Sequence, residues 1–248
     1  MKKWLKVKIA RRIILLFFIL SCCFVFSLEK RLTPIAMTTS VIIPCHYKHA
    51  RFLSQIIKEY SSGTVLPDEI VISLSNADKV PQEMINAIKG NDCPFAVVLL
   101  TSDQPLSAGA NRNKAAKIAK GDILIGHDAD DLPHPQRIEI IKYFFENYEL
   151  DHLMHGWSEA TAQISYYTFD QLAWFESPAY TNQLGGGIYC NGPIAITKQV
   201  FNSIQWTEKF IIGEDVMFND GVYKKFYNKV VLKTPIYIYR HRLSANKI

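Results

Sequence analysis

The chain has 248 residues, 48% apolar and 21% charged, a balance that buries a sizeable core and excludes a disordered or low-complexity protein. Its formal charge of +5 is concentrated at the start: Lys2, Lys3, Lys6, Lys8, Arg11 and Arg12 precede a remainder that is close to neutral. No nucleic-acid partner is expected, because that class needs a basic face on the folded body itself.

The apolar run Ile13–Leu28 follows the basic start and carries no charge. As a helix it spans roughly 24 Å at about 1.5 Å per residue, a little under the roughly 30 Å hydrocarbon core of a bilayer. Arg12 and Lys30 flank it and can snorkel to the interfaces. No A-x-A-like cleavage site follows, so an uncleaved signal anchor is expected rather than a removed signal peptide or a buried core helix. The positive-inside rule then gives residues 1–12 as a basic cytosolic tail, 13–28 as a transmembrane helix, 29–39 as a short stem and 40–248 as the folded domain across the membrane. Cys22 and Cys23 lie in the apolar run; Cys45, Cys93 and Cys190 are widely spaced and read better as thiols than as a disulfide framework.

Beyond the stem, β-rich runs alternate with helical patterns. Val41–Ile43 reads as a short strand stopped by Pro44. Phe52, Ile56 and Tyr60 recur at helical spacing, Ile70–Leu74 is a second strand, and Pro81 sits at the first helical position of PQEMINAIKG, which ends at a glycine. Ala96–Leu100 is a third strand. Ser107 caps a helix through AGANRNKAAKIAK that stops at Gly121, and Ile123–Gly126 is a fourth strand. Ile138, Ile141, Phe145 and Tyr148 face one side of the next helix. Ile194–Ile196 is a strand, a helix begins near Gln199, Glu214–Tyr227 is a helix, and Val230–Tyr239 is a strand pair around Pro235. Strands alternating with helices predict an α/β sandwich with a largely parallel sheet, whose ligands bind at the carboxyl ends of the strands.

At one such end stands GHDADDLP. Residues two apart in an extended stretch point the same way, so Asp128 and Asp130 can reach one ligand. Two hard oxygen donors suit Mg²⁺ or Mn²⁺, which take the rest of their shell from water and phosphates. A solvated turn with capping aspartates is the bland alternative. The His127-Asp128 doublet of metal phosphohydrolases belongs on a helix, and an aspartyl-phosphatase would carry Thr where Leu132 stands.

Several pieces read in order carry a family resemblance. VIIPCHYKHARFLSQIIKEYSSGTVLPDEIVIS, GANRNKAAKIAKGDILIGHDADDLPHPQRIE, GEDVMFND and YRHRLSAN together resemble the family 2 glycosyltransferases of the GT-A fold. The resemblance implies a Rossmann-like α/β/α sandwich with a mixed, mostly parallel sheet. It implies a metal-dependent inverting transfer of a sugar from a nucleotide-sugar donor to a hydroxyl of a glycan, lipid or protein acceptor. Asp128, Asp130 and His241 would hold the divalent ion, and Asp131 would orient that site or the sugar. Pro44, Ser73, Asp78, Arg112, Asn113, Asp122, Arg240 and Arg242 would line the donor side. Asp215, with Glu214 beside it, would take the acceptor proton.

One departure stands out: where the family has an Asp-Asp-Gly-Ser string after the second strand, this chain has Ser73-Leu74-Ser75-Asn76-Ala77-Asp78, which leaves the donor base open. A non-catalytic nucleotide-sugar or glycan binder is the alternative. A nucleotidyltransferase is less favoured, because Pro44-Cys45-His46-Tyr47 is not a Gly-rich phosphate loop. With the anchor, the resemblance implies a single-pass type II protein, most simply of the Golgi or another secretory membrane with a lumenal domain.

Overall fold

A computed structural model describes residue 28 and residues 30–90, 92–176, 192–209 and 212–240. The expected transmembrane segment lies almost wholly outside these residues. Among the described residues, no helix is long and apolar enough to cross a membrane.

The Val/Ile-rich runs form the middle of one mixed sheet. Strands β1 (Thr39–His46), β2 (Glu69–Ser75), β3 (Ala96–Ser102) and β4 (Ile123–Gly126) are parallel, with β1 between β2 and β4. The sheet continues through β5 (Leu132–Pro133), β6 (His152–Glu159), β7 (Trp174–Glu176), β8 (Ile194–Thr197) and β9 (Lys229–Tyr239). Its order is β3-β2-β1-β4-β8-β6-β9-β5, with β7 also paired to β9. Strand β8 runs antiparallel to β4 and β6, whereas β6 and β9 are parallel.

Both faces are covered, which is why the central strands are apolar throughout rather than alternating. Val41, Ile43, Ile123 and Ile125 point to one core, with α1 (Leu53–Ser61), α2 (Gln82–Lys89) and α4 (Arg137–Asn147). Ile42 and Leu124 point to the other, with α3 (Ala108–Ile118), α5 (Lys198–Ser203) and α6 (Glu214–Lys225). This is the expected α/β sandwich.

Two expected strand boundaries are corrected. Strand β1 does not stop at Pro44 but runs through it to His46. Pairing with β4 ends at Ile42, whose carbonyl accepts the His127 N–H at 3.1 Å. Pro44 faces that same side, two residues on, where no ladder partner remains and its missing N–H costs nothing. Likewise β9 is one strand through Pro235 rather than a pair. Register shifts opposite Gly156 absorb the proline, and a Cβ at Gly156 would fall 2.5 Å from the Lys233 carbonyl oxygen.

Gly121 does not act as a left-handed helix stop; α3 already ends at Ile118. Its lack of a side chain instead allows close approach to β1, where an added Cβ would lie 2.5 Å from the Ser40 nitrogen. Pro81 is the cap residue before α2 rather than its first residue, and α6 ends at Lys225, short of Tyr227.

Candidate active site

Strands β1 and β4 end side by side, and a cleft of about 310 Å³ opens there. Pro44, His46 and His49 line it from β1 and the turn after it. Asn111 and Arg112 line it from α3, and Asp128 and Asp130 from beyond β4. The two aspartates do reach one cleft, though not by alternation along a strand. They lie on a turn in which the Asp131 N–H returns to the Asp128 carbonyl at 3.2 Å.

Arg112 organises the site. Its Nη2 lies 2.9 Å from Asp128 Oδ1 and its Nη1 2.9 Å from Glu214 Oε1, at the start of α6. Burial works against its charge, but the two carboxylates outweigh that and hold its pKa above the usual value. Arg112 thereby neutralises two acids from distant parts of the chain and fixes the start of α6 relative to the tip of β4. Asp215 is half-buried and accepts the Val216 N–H at 2.9 Å. Burial, then the Glu214 charge, raises its carboxyl above the usual range.

Asp130 is pushed up by burial and by Asp128, and His49 Nδ1 stands 3.9 Å from its Oδ2. Asp131 points inward. Its Oδ1 accepts the Arg240 N–H at 2.8 Å, and burial, followed by the charge of Asp128, raises its pKa to about 8. It braces the turn rather than facing the cleft. Arg240 serves the same turn: Nε donates to the Asp130 carbonyl, Nη2 to the Asp131 carbonyl at 3.4 Å, and Nη1 to Gln55 Oε1 at 3.0 Å. Arg240, expected at the diphosphate, is engaged in this clamp and is not among the residues lining the cleft.

Three other expected donor-side residues are placed elsewhere. Asn113 is buried and fully engaged with the segment after α5, bonding the Trp206 carbonyl at 2.8 Å, the Trp206 N–H at 3.0 Å and Glu208 at 3.1 Å. Asp122 sits at the opposite end of β4 from the cleft, where its Oδ2 accepts from Thr38 N at 2.9 Å and Thr38 Oγ1 at 2.8 Å. Those bonds hold its carboxyl below the usual range. Asp78 is exposed and outside the cleft. For Asn113 and Asp122, a motif position recognised in sequence serves structural bonds to distant segments, which letters alone do not distinguish.

Ser73 does lie beneath the cleft. Its hydroxyl donates to Asn111 Oδ1 at 2.8 Å, and Asn111 Nδ2 donates to Ser75 Oγ at 3.2 Å. A neutral Asn/Ser group therefore occupies the floor where the resemblance led one to expect a carboxylate. His241 and Arg242 fall outside the described residues. Sequence reading missed His46, His49 and Asn111. His46 ends a strand that was expected to stop sooner and His49 lies in the turn after it, and Asn111 lies one residue before the motif positions noted.

Trp206 belongs to the core, and Trp174 is partly buried against it. Trp206 is buried and stacks on Phe218 at 4.0 Å, and Trp174 packs edge-on to Phe144 at 5.5 Å. Cys45 and Cys93 are free thiols.

Fold and cleft define a GT-A-like α/β domain with an acidic, cation-bridged pocket at its strand ends. The family model described as Glycosyl transferase family 2 matches residues 40–226, and the chain belongs to that family. A protein of Methanocaldococcus jannaschii named "Uncharacterized glycosyltransferase MJ1057" is 29% identical over 120 residues, 48% of this chain and 40% of that protein. The chain thus spans less than half the length of that relative.

Among solved structures, S. aureus TarS 1-349 in complex with UDP-GlcNAc is similar with a TM-score of 0.65 and 16% identity, over 82% of this chain and 58% of that one. A mycobacterial protein is similar with a TM-score of 0.57 and 15% identity, over 85% and 71% of the two chains. At these identities the likeness concerns the fold.

Proposed function

We propose that the domain is a metal-dependent, inverting glycosyltransferase that moves a sugar from a nucleotide-sugar donor to an acceptor hydroxyl. The observation that carries this reading is the double salt bridge of Arg112, a cleft-lining guanidinium that ties Asp128 of the β4 turn to Glu214 at the start of α6.

Asp128 and Asp130 fit a Mg²⁺ or Mn²⁺ ion of the kind that takes one or two carboxylates from protein and the rest from phosphate and water. Among the described residues no three ligating side chains converge, and His241, the third expected ligand, lies outside them. A bound ion would neutralise charge developing on the departing nucleoside diphosphate. Arg112, already at Asp128, is placed to share that charge. Asp215 is the general base: its raised pKa makes its carboxylate a better proton acceptor, and pairing with Arg112 leaves Glu214 less suited. A single displacement with a separate base inverts the anomeric carbon.

The apolar run Ile13–Leu28 is proposed as a type II anchor that places this domain on the lumenal side of a secretory membrane. Protease protection of the full chain in microsomes tests that orientation; digestion of residues 40–248 without detergent would refute it.

The activity is tested by Mn²⁺-stimulated hydrolysis of a panel of UDP-, GDP- and CMP-sugars, with donor binding followed by thermal shift. Binding without turnover for every sugar, with acceptors supplied, would instead favour a non-catalytic binding domain.

A further inference from the structure

We propose that Arg137 is a positioning residue for the acidic turn, a buried guanidinium that holds Asp128 to Asp131 in the arrangement needed by a metal-bound nucleoside diphosphate. The proposal rests on the donor-site reading of the cleft.

Arg137 opens α4 and is wholly buried. A guanidinium out of water costs several kcal/mol unless its donors are matched. Here they are matched, but by neutral groups. Nη2 donates to the Gly126 carbonyl at 2.7 Å and to the Gly192 carbonyl at 2.7 Å. Nη1 donates to the Tyr60 hydroxyl at 2.8 Å and lies 3.0 Å from His127 Nδ1. Nε donates to His155 Nε2 at 3.3 Å. Packing alone calls for none of this, since an apolar side chain of similar volume fills such a space without desolvating a charge. A planar fork with five N–H donors is the side chain that can serve so many acceptors in fixed directions.

Those acceptors converge on the acidic turn by three routes. Gly126 is the last residue of β4, and His127 leads directly into Asp128. With Nδ1 of His127 facing Arg137 and Tyr60, its ring proton lies on Nε2, which donates to the Asp131 carbonyl at 3.3 Å. Gly192 forms the wall behind Asp128: a Cβ there would fall 2.6 Å from the Tyr237 hydroxyl oxygen and 2.9 Å from Asp128 Oδ2. Finally, the guanidinium lies 4.7 Å from the centre of the Tyr237 ring, and the hydroxyl of that tyrosine accepts the Asp128 N–H at 3.0 Å. Main chain on both sides of Asp128, and the group behind its carboxylate, are therefore referenced to one buried cation.

The test measures binding of UDP and of GDP by calorimetry, with and without Mn²⁺, in the full chain and in folded Arg137→Lys, Arg137→Met and Tyr237→Phe. Arg137→Lys and Tyr237→Phe are expected to weaken the Mn²⁺-dependent binding of the preferred nucleotide by about tenfold or more, the usual effect of disturbing groups that orient metal ligands. Metal-free binding should stay nearly constant. A lowered melting temperature with unchanged Mn²⁺-dependent affinity in both variants would make Arg137 a packing residue and overturn the proposal. If the Arg137 variants do not fold, Tyr237→Phe decides alone. Absence of Mn²⁺-dependent binding by the unmodified chain would overturn the donor-site reading and this proposal with it. Binding by the unmodified chain with unaffected variants overturns this proposal only.

Discussion

Arg112 and Asp128 form a salt bridge at 2.9 Å between α3 and the turn beyond β4, and the same guanidinium carries Glu214 at an equal distance on its other nitrogen. Removing the cation leaves two carboxylates without their partner. Arg112→Ala is expected to destabilise the fold by about 3–5 kcal/mol, the range for breaking a buried pair, and to weaken donor binding. Arg112→Lys, a point charge in place of a fork, should recover part of the stability but not the donor affinity. Urea denaturation and calorimetry of nucleotide binding separate the two effects.

Asp130→Ala should abolish transfer and Mn²⁺-dependent nucleotide binding together, while EDTA should do the same to the unmodified chain and added Mn²⁺ restore it. Asp215→Asn should spare nucleotide binding and reduce kcat by about 10²-fold or more, as expected for loss of a general base. Substantial turnover in Asp215→Asn would assign the proton to another group.

Asp122 lies at the far end of β4 from the cleft, and its carboxylate accepts from the Thr38 N–H and hydroxyl. Asp122→Ala is therefore expected to cost about 1–2 kcal/mol of stability, given its exposed setting, and to leave the donor affinity and kcat of the folded protein unchanged. A changed donor Kd would return Asp122 to the binding site.

His152 is buried, with Nε2 bonded to Asn219 Oδ1 at 3.0 Å, and burial lowers its pKa from 6.5 to about 4. The unfolded chain binds a proton at this side chain below about pH 6.5, and the folded chain does not. Stability from this residue is therefore complete above that pH and is lost as pH falls toward 4. The loss is roughly 2 kcal/mol at pH 5. His127 and His155, lowered by burial and by Arg137, act in the same direction. Urea midpoints across this pH range should fall steeply in the unmodified chain and less so in His152→Leu; parallel curves would refute the assignment.

The central strands, the helices between them and the acidic tip of β4 were legible because their signals are local. Apolar runs such as Ile123–Gly126 have one good solution, burial in a covered parallel sheet, and Ser107 marks its helix start by accepting the Ala110 N–H at 3.1 Å. The second half was less legible. Strand β6, HLMHGWSE, mixes polar and aromatic residues, and its partner β9 lies 77 to 80 positions further along the chain.

Sequence by itself determined the order of strands and helices through β4, and that Asp128 and Asp130 stand at a strand end, because hydrophobic period and turn chemistry act between near neighbours. Tertiary structure alone decided which polar residues face the cleft. It turned Asn113 and Asp122 to structural bonds, set Asn111 and His49 at the site, and placed Arg137 beneath it. A side chain's role follows from the partners within about 3 Å of it, and for Arg112, Asp122 and Arg240 those partners come from segments far away in the chain.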